Sequence, residues 1–286
     1  MLNKFFVSQS EQSASPGPVH SIVEPATNNK VHDIEFTAYE VPAFLSRLDP
    51  TKSPGDDGIP TRILRTFARD VAPQVFDLFQ QTIKYGRLPQ EWKQATVTPI
   101  FKKGDRSLVS NYRPISFLSV LSKVLERIVY RRLYAHVEPF LPIGQSGFRK
   151  NYGTMLQLTR IVQTIAAAIN DKNVVASCYF DLSKAFDRVW YDGLLAKLAH
   201  IGIGGSLLAW FKDYLNGRKP RVHVESATSC WQLILAGVPQ GSILGPLLFL
   251  IYTYDLPATI PKPVLCNQFA DDTGLCSIAQ SQKKCS

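Results

Sequence analysis

The stretch VLCNQFADDTGLCSIA, Val264 to Ala279, decides the fold. VLCNQF and GLCSIA are strand-like, and Ala-Asp-Asp-Thr between them is turn chemistry, so the stretch reads as a β-hairpin. Asp271 and Asp272 sit at its tip, two like charges in an otherwise uncharged segment. Upstream, NVVASCYF (Asn173–Phe180) is a β-rich strand that delivers a third carboxylate, Asp181, at its end. If these strands are neighbours in one sheet, the three carboxylates converge at one edge. Clustered carboxylates repel one another unless a cation lies among them. Hard oxygen donors with room left for water and phosphate suit Mg²⁺. Two such ions about 3.5–4 Å apart support in-line phosphoryl transfer. An Asp pair in a turn is otherwise an ordinary polar turn, so the weight of this reading falls on the rest of the chain.

The chain has 286 residues, 45% of them hydrophobic, enough for one large domain or two small ones. Thirty-two Lys and Arg against 23 Asp and Glu leave a net charge of +9, which points to a polyanionic partner, nucleic acid first. The longest apolar run, ILGPLLFLIY (Ile243–Tyr252), is too short to span a bilayer, and MLNKFFVSQSEQ lacks a secretory hydrophobic segment. The five cysteines, Cys178, Cys230, Cys266, Cys276 and Cys285, are odd in number and form no C-x-x-C pair. That argues against a disulfide framework or a structural zinc site and for a reducing compartment. None of His20, His32, His136, His200 and His223 belongs to a metalloprotease or triad pattern.

Residues 1–40, rich in Ser, Pro, Gln and Asn from Ser8 onward, read as a disordered or linker arm. TKSPGDDGIP (Thr51–Pro60) is loop chemistry. Thr61 to Lys84 is helical in period but interrupted by Pro73, and Ala95 to Phe101 reads as a strand running into a basic turn. Ser116 to Ala135 predicts a helix with an apolar stripe through Leu118, Leu121, Leu125 and Ile128, and Met155 to Asn170 predicts another. RVHVES and CWQLILAG suggest a hairpin, and SILGPLLFLIYTYDL a buried helix. Strands interleaved with helices, some in hairpins, give an α+β class.

Several of these stretches together resemble the reverse transcriptases of non-LTR (LINE-type) retrotransposons. FDLSKAFD (Phe180–Asp187) resembles motif A of that family, AGVPQGSILGPLLFLIY (Ala236–Tyr252) motif B, and FADD (Phe269–Asp272) motif C, in the family's order. VTPIFKKGDRSLVSNYRPISFLSVLSKVLERI, GQSGFRKNYGT and KSPGDDGIP resemble its upstream blocks, so the likeness covers roughly Leu45 to Cys276. It implies a right-hand polymerase with fingers (residues 41–170, with an N-terminal extension), an antiparallel palm sheet (171–286), and an RNA template, DNA primer and dNTPs as partners. Residue by residue, it implies that Asp181, Asp271 and Asp272 are catalytic and bind two Mg²⁺, with Mn²⁺ as a substitute and the Leu182 carbonyl in the metal shell. Phe186 matches the bulky residue that screens against a ribose 2′-hydroxyl. Gln240, Gly241 and Ser242 match the turn that lies against the incoming nucleotide, where glycine admits a close backbone approach. Arg113 matches the arginine that grips the triphosphate, and either Lys102 or Lys103 joins it. Phe148, Arg149 and Lys150 would line the template path, with Arg218, Lys219 and Arg221 tracking its phosphates. The resemblance implies an intracellular setting, nuclear or ribonucleoprotein-associated; compartment and oligomeric state are left open.

The chain ends soon after motif C, where family members continue into a thumb that holds the duplex. The reading is therefore of a fragment without a thumb, weak in processive synthesis, its last hairpin leaving an exposed edge strand. The alternative is a catalytically inactive nucleic-acid-binding remnant, recognised by salt-dependent, Mg²⁺-independent RNA binding.

Overall fold

The computed structural model describes residues 1–11 and 27–280. Its helices are α1 (Leu2–Glu11), α2 (Glu40–Leu45), α3 (Thr61–Thr66), α4 (Ala68–Tyr85), α5 (Val120–Val137), α6 (Thr154–Asn170), α7 (Tyr191–His200), α8 (Gly205–Leu215) and α9 (Gly245–Thr253). Its strands are β1 (Gln94–Phe101), β2 (Tyr112–Phe117), β3 (Asn173–Phe180), β4 (Lys219–Val224), β5 (Ala227–Thr228), β6 (Leu265–Phe269) and β7 (Asp272–Gln280). They form one sheet in the order β2-β1-β4-β5 and a second, wholly antiparallel, in the order β3-β7-β6. The α+β expectation holds. No described helix is long and apolar enough to cross a membrane.

The core lies among the helices. Helix α9 is apolar all round, and such a helix must be buried on every side; Leu247 to Ile251 are each at most 1% exposed. The helix shares one buried cluster with Phe79 of α4, Ile128 of α5, Leu194 of α7 and the stacked pair Trp210–Tyr214 of α8. Burying each large apolar side chain contributes about 1.5–3 kcal/mol. Helix α9 thereby fixes the segment that precedes it, the Gln240–Ser242 turn.

Five expectations change. The helix read from Thr61 breaks at Phe67 into α3 and α4, and α4 runs through Pro73. CWQLILAG forms no strand, and β4 pairs instead with the short β5. The helix read from Ser116 begins at Val120, because Tyr112–Phe117 pairs with β1 as strand β2 and the Ser119 hydroxyl caps the helix by accepting from the Ser122 N–H. The first eleven residues are not part of a linker: Leu2–Glu11 is helical, Val7 is buried, and the Asn3 amide donates to Ser229 Oγ and the Cys230 carbonyl. The rest of that expected linker up to residue 26 lies outside the described residues. Finally, the last hairpin does not present its final strand as an edge. β7 is central, and β6 is bordered by the Gly144–Gly147 segment, where Gln268 N donates to Gly144 O and Ser146 N to Gln268 O. The exposed strand is β3, with Val174 and Tyr179 open to solvent.

Candidate active site

The acidic residues meet at one end of the β3-β7-β6 sheet. β3 pairs with β7 up to Phe180 opposite Thr273, and β6 with β7 up to Phe269 opposite Asp272. Asp181 therefore leaves β3 beside the Ala270–Asp271 turn. Ala270 takes a left-handed φ of 58°, as the first central residue of a tight hairpin turn often does. Asp181, Leu182 and Asp271 line one open cleft of about 620 Å³. Asp272 does not: it stands exposed on β7, outside that lining. Among the described residues no three acidic, His or Cys side chains are grouped as a metal cage. Two carboxylates on an open cleft still fit Mg²⁺, which is commonly held by one or two carboxylates together with substrate phosphates.

The basic wall of the cleft comes from the β1–β2 hairpin. Ile100 pairs with Arg113, and Lys102 N donates to the Asn111 carbonyl. Alternation along the strand puts Lys102 on the face of Ile100 and hence of Arg113. Lys102 and Arg113 both line the cleft, while Lys103 does not. Sequence alone left the two lysines equivalent; the register separates them.

Phe186, Gln240, Gly241 and Ser242 line the same cleft. The segment after β3 is tied to the turn before α9 by Val238 N donating to Phe186 O and Gly237 N to Val189 O, and by the Gln240 amide on Asp187 Oδ1 at 2.7 Å. Burial pushes the Asp187 carboxyl up, opposed by that hydrogen bond. Phe186 is half-buried, stacked on Phe249 at 4.7 Å and edge-on to Phe148. Gly241 has φ 91°, a conformation that favours glycine. The Ser242 hydroxyl is already engaged: it donates to Pro239 O and accepts from Gly245 N at the start of α9.

Residues 100–285 match the reverse transcriptase (RNA-dependent DNA polymerase) family. The chain belongs to that family. It is 37% identical over 245 residues to the RNA-directed DNA polymerase from mobile element jockey of Drosophila funebris, an alignment covering 82% of this chain and 27% of that protein. It is 36% identical to the probable RNA-directed DNA polymerase from transposon X-element of Drosophila melanogaster, over 83% of this chain and 27% of that one. A putative 115 kDa protein in the type-1 retrotransposable element R1DM of Drosophila melanogaster is 29% identical over 95% of this chain and 25% of its own length. The chain thus spans about a quarter of the length of these relatives.

Other residues that the reverse transcriptase motifs nominate are occupied elsewhere. The Arg149 guanidinium donates to Pro142 O and lies over the Tyr152 ring. Phe148 and Lys150 are outside the cleft lining: Phe148 is 46% exposed and edge-on to Phe186, and Lys150 is exposed. Arg218 is buried, donating to Tyr214 O, and Arg221 is paired with Asp56 at 3.0 Å and covers Trp231. Neither arginine is a free surface cation, which corrects the expectation that they track backbone phosphate. Asp56 and Asp57 look like a second acidic pair but are structural: Asp56 accepts from Arg221 and Thr96, and Asp57 from Ser119.

Two supporting residues escaped the sequence reading, Gln145 and Glu126. Glu126 is a lone acid on the apolar face of α5, a signal that was legible. It is 1% exposed, and its Oε2 accepts from Ile243 N (2.7 Å) and Leu244 N (3.2 Å), immediately after the Gln240–Ser242 turn. Burial pushes its carboxyl above the ordinary value of 4.5, against the opposing pull of Arg218 and these N–H groups. Between 4.5 and the raised value the folded chain keeps a proton that the unfolded chain has lost, so this group's contribution makes stability fall as pH rises through that window. Glu126→Gln cannot titrate and keeps an acceptor for the two N–H groups. Melting curves across pH should show the variant gaining on the wild type as pH rises above 4.5; a constant offset contradicts the burial argument.

Proposed function

We propose that this chain is the RNA-directed DNA polymerase domain of a mobile element, adding dNTPs to a DNA primer 3′-hydroxyl opposite an RNA template. The observation that carries the reading is that Asp181 and Asp271, ninety residues apart, open onto one cleft with Arg113, Lys102 and the Gln240–Gly241 turn. In this reading the β3-β7-β6 sheet is the palm and the β1–β2 hairpin belongs to the fingers.

Asp181 and Asp271 would hold the magnesium ions, with the Leu182 carbonyl beside them and Asp272 adding charge from the rim. When bound, the metal activates the attacking 3′-oxygen and stabilises charge on the leaving one. Arg113 grips the triphosphate through its planar fork, and Lys102 offsets charge on the departing pyrophosphate. Gly241, without a Cβ, lets the nascent base pair approach the turn, and Gln240 holds that turn to the motif A segment through Asp187. Phe148 and Lys150 stand ready to stack on and neutralise the template.

Phe186 would sit beneath the sugar, held by Phe249 and Phe148. Phe186→Val is expected to raise ribonucleotide use relative to deoxyribonucleotide by roughly tenfold, within the ~10²-fold that shape alone can supply. Competition between dCTP and CTP in single-nucleotide addition measures this ratio; an unchanged ratio removes Phe186 from the sugar site. The function itself is tested by extending a labelled DNA primer on an RNA template with Mg²⁺ at low salt. Template-directed addition of one nucleotide supports it, and RNA binding without any addition, from a folded protein, favours a binding role instead.

A further inference from the structure

Gln145 lies within the GQSGFRKNYGT block, and its buried polar side chain has no part in the chemistry above. It is 2% exposed, and all three of its side-chain hydrogen bonds converge on the acidic turn and its neighbour. Its Oε1 accepts from Ala270 N at 2.9 Å and from Gly147 N at 2.8 Å. Its Nε2 donates to Ala270 O at 3.2 Å. One amide thus spans both the N–H and the C=O of a residue in the left-handed region, where an L side chain is strained. The backbone around Gln145 is itself fixed: Gly144 O and Ser146 N pair with Gln268 on β6, and the Ser146 hydroxyl donates to Gln157 of α6. Strained backbone persists only where its surroundings over-determine it, and here Gln145 is the side chain that holds both backbone polar groups of Ala270.

We infer that Gln145 is a positioning residue for the reaction: it clamps Ala270 in its left-handed conformation and so fixes Asp271 at the cleft. The inference rests on the polymerase reading of Asp271. A carboxamide suits this task, because at every pH it offers an acceptor for two N–H groups and a donor for a carbonyl from one planar end. Glutamate keeps the acceptor and, when ionised, loses the donor; alanine loses both.

The test compares Gln145→Ala and Gln145→Glu in two backgrounds, wild type and Ala270→Gly, the second of which removes the need to hold an L residue at positive φ. Hydrogen exchange across Leu265–Leu275 is read together with single-nucleotide addition in Mg²⁺. Gln145→Ala should speed exchange of this hairpin by about tenfold or more while α7 to α9 keep their protection. It should lower the maximal addition rate by about tenfold or more, with little change in the dNTP KM, since a displaced carboxylate weakens the reacting geometry rather than nucleotide binding. Both losses should shrink in the Ala270→Gly background, and Gln145→Glu should fall between alanine and wild type. Unchanged exchange, or equal rate losses in both backgrounds, overturns the clamp. Where Gln145→Ala does not fold, Gln145→Leu, of similar size and with neither donor nor acceptor, decides: a hairpin as protected as wild type and a full rate overturn the inference. Faster exchange with a full rate overturns the positioning role alone. A wild type that adds no nucleotide defeats the polymerase reading instead, while the exchange ratio still decides whether Gln145 holds the turn.

Discussion

Gly147→Ala is expected to disable the acidic turn without changing an acidic residue. A Cβ on Gly147 would stand 2.1 Å from Ala270 N and 2.8 Å from Ala270 Cα. Both are backbone atoms, so no side chain can rotate away, and either the loop or the turn must move. The obstruction falls on the hairpin residue that precedes Asp271. Overpacking of this kind costs about 1–3 kcal/mol or more, which in a chain of this size lowers the melting temperature by on the order of 5 °C. The effect on reaction rate is larger, because a carboxylate displaced by about 1 Å loses roughly a hundredfold. Gly153→Ala, in the same loop, is the control. Its Cβ would meet nothing within 4 Å and its φ of −165° is ordinary extended backbone; the entropy gain of about 0.4–1 kcal/mol is opposed by the poorer N-cap that alanine gives α6, so stability should stay within about 1 kcal/mol of wild type. Thermal melts and single-nucleotide addition on the two variants check the pair; equal behaviour would contradict the close packing of the loop on the turn.

The sequence makes the acidic site legible because strand ends and hairpin tips are local features. Asp181 follows a β-rich run and Asp271 sits between two, so pairing β3 with β7 brings them together. Which carboxylate faces the cleft is a matter of register and of turn geometry, and there Asp272 parts from Asp271. Likewise Lys102 and Lys103 are chemically alike, and only the pairing of Ile100 with Arg113 tells them apart. The basic residues after α8 misled for a related reason. A sequence shows an arginine's charge and not its partner: Arg221 is bound by Asp56, 165 positions away, and Arg218 is drawn inside near Glu126 and Tyr214. Helix α1 escaped notice because its partners are distant in sequence: Val7 is buried, and Asn3 donates to Ser229 and Cys230, more than 200 residues on. Gln145 lay in view inside a Gly-rich basic loop, but its hydrogen bonds run to a turn 125 residues away, and nothing local announces them.

The largest effect belongs to the two carboxylates of the cleft. Asp181→Asn and Asp271→Asn keep shape and hydrogen-bonding size while removing one negative charge from a site that would concentrate divalent cation. Asp181 and Asp271 lie on the cleft surface rather than in the core, so neither change should disturb folding. If the two act as one metal-holding unit, their losses are strongly non-additive, since removing either dismantles the site. Asp272→Asn, exposed and outside the cleft lining, should cost less than either. The decisive measurement is the single-turnover rate of adding one dNTP to a DNA primer on an RNA template in Mg²⁺, for the wild type, each single variant and Asp181→Asn/Asp271→Asn together. The predicted result is a loss of about 10³-fold or more in each single variant and no further loss in the double. Either single variant adding nucleotide at the wild-type rate would contradict the account.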